Sequence, residues 1–87
     1  MSIAETIKIL EKERSNTRFS DLLKICGSYF GKPRISGSHH IFKTPWPGDP
    51  RLNLQPDKRK AKPYQVDQVI SALKKLEEIK HGKSKNN

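Results

Sequence analysis

The feature that most constrains the fold is a change in the spacing of apolar residues along the chain. Near both ends they recur every three to four residues, as in a helix with one buried face, whereas in the middle they alternate with polar residues, as in a strand. Each kind of element buries a single face, so the elements must pack against one another. The pattern predicts a two-layer α+β domain, with one sheet covered by helices on one side.

Three helices are expected, at residues 2–14, at about 18–29, and from residue 63 to Gly82. The first begins with a capping box, the second ends near Gly31, and the third begins at a proline, where a missing N–H is tolerated. The third is expected to be the longest helix, and one of its faces is lined by Val66, Val69, Ile70, Leu73 and Leu76.

Three strands are expected in the middle of the chain, at residues 33–36, 39–44 and 51–55. Gly37 and Ser38 separate the first two, which suits a tight hairpin turn. The domain boundaries that follow are 1–16 for an N-terminal helix, 17–80 for the main domain and 81–87 for a flexible basic tail.

Charge indicates the class of partner. The 87 residues include 18 Lys and Arg against 9 Asp and Glu, a net charge of +9. Most of the excess lies in residues 15–62, so the middle of the chain should bind a polyanion, with nucleic acid first and an anionic membrane second.

Several classes of protein are disfavoured. A chain this short has a modest core, so a deep cofactor cavity is not expected and we predict no cofactor. No stretch approaches the roughly 20 apolar residues of a membrane span, and no signal peptide is recognisable, so a soluble cytoplasmic protein is expected. The single cysteine, Cys26, has no partner for an intrachain disulfide or for a cysteine metal site.

A family resemblance rests on the order of elements and on one motif. Leu22-Leu23-Lys24 on a helix, a short strand, Gly-Ser-His-His-Ile-Phe at 37–42, a third strand and a helix from Pro63 to Leu76 together resemble the HicA family, small toxins of bacterial toxin-antitoxin systems. The resemblance covers about residues 18–78. The same order, helix, three strands, helix, is that of double-stranded-RNA-binding-like folds. The N-terminal helix is an addition to this pattern.

The resemblance implies an mRNA interferase, a metal-independent endoribonuclease whose site includes the histidine at the head of the second strand. It also implies a HicB-type antitoxin that blocks the active face in a hetero-oligomer. Many family members carry a further histidine just after the third strand, near Pro56 here, and this chain has none at that place.

His39 is the catalytic candidate, because strand alternation separates it from its neighbour. If Phe42 is buried, His40 shares its inward side and His39 faces the open side of the sheet. Metal-free RNA cleavage uses the 2′-hydroxyl as nucleophile and needs a base, an acid and positive charge near the phosphate. A histidine can serve either proton-transfer role near neutral pH. No metal is expected, since adjacent strand residues diverge and no third ligand is nearby.

The expected RNA-binding residues surround this candidate. Gly37 and Ser38 can place backbone N–H groups and a hydroxyl near a phosphate. On the open face we expect Lys43 and Arg51, accompanied by Asn53 and Gln55. A basic run leading to the last helix completes the set: Lys58, Arg59, Lys60 and Lys62. Trp46 and Tyr64 are candidates for stacking on bases, and a packed lid explains Trp46 equally well.

Two other classes of function remain open. In the first, the chain is a non-catalytic nucleic-acid-binding module of double-stranded-RNA-binding-like fold. In the second, its basic face docks an acidic protein or a membrane surface. The histidine motif favours the enzyme, the missing further histidine favours the binding module, and the charge-neutral first helix disfavours the membrane.

Overall fold

The computed structural model describes residues 2–47 and 51–80. The order of elements is the expected one, and their bounds are α1 Ile3–Lys12, α2 Phe19–Phe30, β1 Arg34–Ser36, β2 His39–Phe42, β3 Leu52–Leu54 and α3 Pro63–Lys80. The α+β prediction is confirmed, with three helices and one three-stranded antiparallel sheet in the described part of the chain. The expected end of the last helix at Gly82 and the tail at 81–87 lie outside the described residues.

The helix ends form as local chemistry dictates. The Ser2 hydroxyl accepts a hydrogen bond from the Glu5 N–H, and the Glu5 carboxylate accepts one from the Ser2 N–H. This is the expected capping box. The helix α1 ends at Lys12 rather than Arg14, because Glu13 has already left helical geometry. Gly31 ends α2 with a φ of +86°, a conformation that side chains with a Cβ rarely adopt.

The sheet has the strand order β1-β2-β3, with both pairs antiparallel. Ser36 pairs with His39, so Gly37 and Ser38 form a two-residue hairpin turn, as expected. Gly37 has a φ of +62°, which fits a type II′ turn with glycine at its first central position. All three strands are shorter than the apolar alternation suggested.

One face of the sheet is buried and the other is open. Phe42, Leu52 and Leu54 are buried against the helices, whereas Asn53, between the two leucines, is exposed. The five expected apolar residues of α3 are all buried. The open face is therefore the side of the sheet opposite the helices, and it carries His39, Ile41 and Asn53.

The N-terminal helix belongs to the same core. Ile7 and Leu10 of α1 are buried within it. Two ion pairs join this segment to α3. The guanidinium of Arg14, just after α1, binds Asp67 of α3 with both nitrogen–oxygen distances below 3 Å. Lys74 Nζ of α3 lies 3.4 Å from Glu11 Oε2 of α1. No helix in residues 2–47 and 51–80 is long and apolar enough to cross a membrane.

Candidate functional site

The two adjacent histidines lie on opposite faces of the sheet, as strand alternation predicts. His40 pairs with Leu54 and contacts Phe19 on the helix side, with the ring centroids 5.3 Å apart. His39 points to the open face, where its ring contacts Asn53 of the neighbouring strand. The expected assignment of the inward and the outward histidine is therefore confirmed.

His39 is held by one hydrogen bond that fixes its tautomer. Its Nδ1 lies 2.9 Å from Oδ1 of Asn53. An amide oxygen only accepts hydrogen bonds, so Nδ1 carries the proton and donates. In the neutral ring the lone pair is then on Nε2, which leaves that nitrogen able to accept a proton.

The strand ends around His39 are tied to each other and to α3. Gln55 Nε2 donates to the Ser38 hydroxyl at 3.2 Å, which joins the end of β3 to the β1–β2 turn. The Gln55 backbone N–H donates to Oε1 of Gln65, also at 3.2 Å. Gln65 is only 3% exposed, so this anchor is a buried polar group that is satisfied. These bonds hold the end of β3 and the turn that directly precedes His39.

A basic groove of about 480 Å³ lies beside His39 on the open face. We call it the open-face groove, and it is lined by Phe30, Lys32, Arg34, Ile41, Lys43 and Arg51. Ile41 is two residues from His39 on the same strand face, a separation of about 6 to 7 Å. The groove therefore places cationic side chains on the same sheet face as His39, and its lining begins two residues along the strand from that histidine.

A second basic depression, of about 670 Å³, lies on the helix side of the sheet. We call it the rim cleft. His40 lines it, together with Arg18, Phe19, Ser20, Leu23, Pro56, Lys58, Arg59 and Lys60. Nδ1 of His40 lies 3.2 Å from the Ser38 carbonyl oxygen and so donates to it, which leaves Nε2 as the second functional nitrogen of this ring.

The basic run 58–60 is a fixed hairpin and not a loose loop. Asp57 and Lys60 exchange backbone hydrogen bonds of 3.0 and 3.1 Å around a two-residue turn. The Phe19 N–H donates to the Arg59 carbonyl, and the Ala61 N–H donates to the Thr17 carbonyl. Lys58 has a φ of +62°, the one positive φ among the described residues that are not glycine. The hairpin is thereby joined to the start of α2.

The structure divides the expected RNA-binding residues into groups. Lys43 and Arg51 line the open-face groove, and Gly37 and Ser38 form the turn at the end of the sheet. Lys58, Arg59 and Lys60 line the rim cleft instead, on the other side of the sheet from His39. Lys62 belongs to neither lining and lies 5.9 Å from the centre of the Tyr64 ring.

The aromatic candidates differ in availability. Trp46 is partly buried, with its ring edge-on to Phe30 at 6.2 Å and Lys75 Nζ 5.0 Å from its centroid. It packs as a lid over this end of the core. Tyr64 is 54% exposed at the start of α3.

Other reactive groups are few. Cys26 is buried, and burial raises the pKa of its thiol to about 12, so it is protonated near neutral pH. Within residues 2–47 and 51–80, no group of three or more His, Cys, Asp or Glu side chains could hold a metal ion.

Sequence reasoning missed three contributors to these surfaces. Lys32 and Arg34 belong to the open-face groove, and the parity of the first strand was the available signal, because Arg34 pairs with Ile41. Arg18 belongs to the rim cleft through a backbone bridge to Lys60. No local signal in the sequence joins two residues so far apart along the chain.

The chain matches no protein-family model, and comparisons with curated proteins and with solved structures give no significant match. The site is therefore interpreted from its own geometry and chemistry.

Proposed function

We propose that this chain is an endoribonuclease, the toxin of a type II toxin-antitoxin system, with a HicA-like domain of double-stranded-RNA-binding-like fold. One observation carries the proposal. His39 stands on an open sheet face with Nδ1 bound to Asn53 and Nε2 able to accept a proton, beside a groove lined by four cationic side chains.

The proposed reaction is an internal transfer within the RNA. Nε2 of His39 removes the proton from a ribose 2′-hydroxyl, and the oxygen attacks the adjacent phosphorus. The bond from phosphorus to the 5′-oxygen breaks, which leaves a 2′,3′-cyclic phosphate and, after protonation by an acid, a 5′-hydroxyl. Lysines and arginines of the open-face groove stabilise the charge that develops on the phosphate oxygens. The reaction needs neither metal nor cofactor.

The proposed partner is a HicB-type antitoxin that covers the open face in a hetero-oligomer. The support is the net charge of +9 and the basic groove beside His39. Complementary charge on an acidic antitoxin would accelerate association. If the chain does not co-purify with the product of an adjacent small gene, this part of the proposal is wrong.

The catalytic proposal is tested by comparing wild type with His39→Ala on RNA in the presence of a metal chelator. We expect cleavage by the wild type and a rate lower by about 100- to 10,000-fold in the variant, because a positioned base contributes roughly that much. Ser36→Ala is the matched control, since Ser36 pairs with His39 on the same face.

Product chemistry provides a second check. The wild type should generate 2′,3′-cyclic phosphate ends. An RNA with 2′-deoxyribose at the cleaved position should not be cleaved, because it lacks the nucleophilic 2′-hydroxyl. RNA that is bound but never cleaved, by wild type and variant alike, would identify a non-catalytic binding module instead.

A further inference from the structure

We infer that the rim cleft is a nucleotide-binding subsite of the same ribonuclease, occupied by single-stranded RNA next to the nucleotide cleaved at His39. The inference rests on the proposed function. It assigns a substrate contact to His40, which strand alternation placed on the inward side of β2 and which is not part of the proposed catalytic site.

The cations of the rim cleft point to an anionic ligand. Arg18, Lys58, Arg59 and Lys60 line one depression. None of the four forms an ion pair with another residue in the part of the chain that the structure describes. Four cationic side chains that line one depression repel one another, and a phosphate backbone relieves that repulsion.

The remainder of the lining suits a nucleobase. Phe19, Leu23 and Pro56 provide apolar surface, and the His40 ring lies among them with its Nδ1 already bound to the Ser38 carbonyl. Bases stack on aromatic and heteroaromatic rings with little dependence on sequence. The apolar part of the lining suits the flat base of a nucleotide. The cationic residues suit the phosphate that the ribose links to that base. A volume of about 670 Å³ is sufficient for one.

Backbone hydrogen bonds hold one wall of the cleft in place without a ligand. The hairpin that presents Lys58 and Arg59 is fixed by backbone hydrogen bonds to Thr17 and Phe19. Binding therefore does not require a loop to become ordered. Such ordering would cost free energy and weaken the affinity.

Position links this cleft to the catalytic candidate. His39 and His40 are consecutive residues at the start of β2, and β3 finishes at the same end of the sheet. An RNA chain bound at His39 must therefore turn around this end of the sheet to reach His40. A flexible single strand can make that turn, whereas a stiff duplex cannot do so over so short a distance. The substrate class is accordingly single-stranded RNA.

The test measures RNA binding in the His39→Ala background, in which cleavage during the measurement is slow. Lys58→Asn with Arg59→Gln removes two charges from the cleft, and asparagine tolerates the positive φ of residue 58. Lys8→Gln with Lys12→Gln removes two charges from exposed positions of α1 and is the matched control. Thermal melting verifies that each variant is folded.

We expect the cleft variant to bind a single-stranded 12-nucleotide RNA about ten-fold more weakly than the control variant at roughly 0.1 M salt. The affinity of the cleft variant should also depend less on salt. The magnitude of its slope of log affinity against log salt concentration should be smaller by about 1.4, since each lost phosphate contact on a single strand removes about 0.7. In NMR titrations with this 12-nucleotide RNA, the His40 and Phe19 resonances should shift.

Equal binding by the two double variants would overturn the inference, as would NMR shifts confined to the open face. If the cleft binds poly-glutamate more tightly than RNA, the cleft is a site for an acidic protein partner. That result would also overturn the inference. Failure of the proposed function is distinguishable, because it would show as absent cleavage by wild type while binding at the rim cleft remained intact.

Discussion

At the scale of single residues, the central feature is that two neighbouring histidines belong to different surfaces. Alternation along β2 directs them to opposite faces, and in each the Nδ1–H donates to an oxygen acceptor. The acceptor of His39 is a side chain from another strand, Asn53, and so can be changed without altering the backbone. Asn53 is a positioning residue in the proposed reaction, because it orients the ring and sets its tautomer.

Substitution of Asn53 tests that role. Asn53→Leu removes the oxygen that accepts the hydrogen bond from His39 Nδ1. We expect the cleavage rate to fall by about ten-fold or more, which is part of the rate factor of about 10² to 10⁴ that a positioned base contributes. Asn53→Asp keeps an acceptor but adds a negative charge that favours the protonated ring. The acidic limb of the pH–rate profile should then move to higher pH, which is measured by single-turnover cleavage between pH 5 and 9.

A purely structural role for Asn53 would give a different result. Both variants would then lose activity in proportion to lost stability, and the pH–rate profile would keep its position. Ser36→Ala, on the same face beside His39, should leave both the rate and the profile unchanged.

At the scale of elements, α1 is an integral part of the domain. Its buried face joins the core shared by α2, α3 and the sheet, and the Arg14–Asp67 pair joins its end to α3. The capping box starts the helix, but a ten-residue helix is marginal in isolation. Tertiary packing therefore supplies most of the stability of α1.

Two adjacent substitutions measure that packing. Leu10 is 1% exposed, so Leu10→Ala should lower the free energy of unfolding by about 2 to 5 kcal/mol through lost burial and a residual cavity. Ile9 is 45% exposed, and Ile9→Ala should cost less than about 1 kcal/mol. Urea denaturation of both variants gives the comparison. Equal effects would show that α1 does not share the core.

At the scale of the whole molecule, charge has two separate consequences. Eight of the 18 Lys and Arg residues line two depressions on opposite sides of the sheet. The acidic residues instead contribute to stability, as in the pair that joins α1 to α3. The Arg14 guanidinium hydrogen-bonds to Asp67 and lowers the pKa of that carboxyl below its ordinary value.

This pair predicts how stability depends on pH. A carboxyl whose pKa is lower in the folded protein stabilises the fold above the pKa of the unfolded chain, and this contribution is lost as the pH falls through the folded value. Wild type should therefore be more stable than Asp67→Asn at pH 7, and the two should converge towards pH 2. Chemical denaturation at a series of pH values measures the difference. A difference that does not change with pH would contradict the assignment.

Local sequence patterns specify the elements and their faces. Apolar spacing located three helices and three strands, the capping box and the glycines set their ends, and parity along residues 39–42 separated the two histidines. These features depend on neighbours within a few residues, and the periods of 3.6 and 2 follow from backbone geometry alone. For the same reason, the burial of Phe42, Leu52 and Leu54 could be foreseen.

The set of charged residues that share a surface depends on tertiary packing. The basic run 58–60 was expected to bind RNA, without a place relative to either histidine, and its hairpin bonds to Thr17 and Phe19 and so lies with Arg18 and His40. In the same way, Asn53 was expected to line the open face, whereas its hydrogen bond to His39 depends on the register of β2 against β3. Contacts between segments distant in the sequence arise when the whole core packs, and no local pattern specifies them.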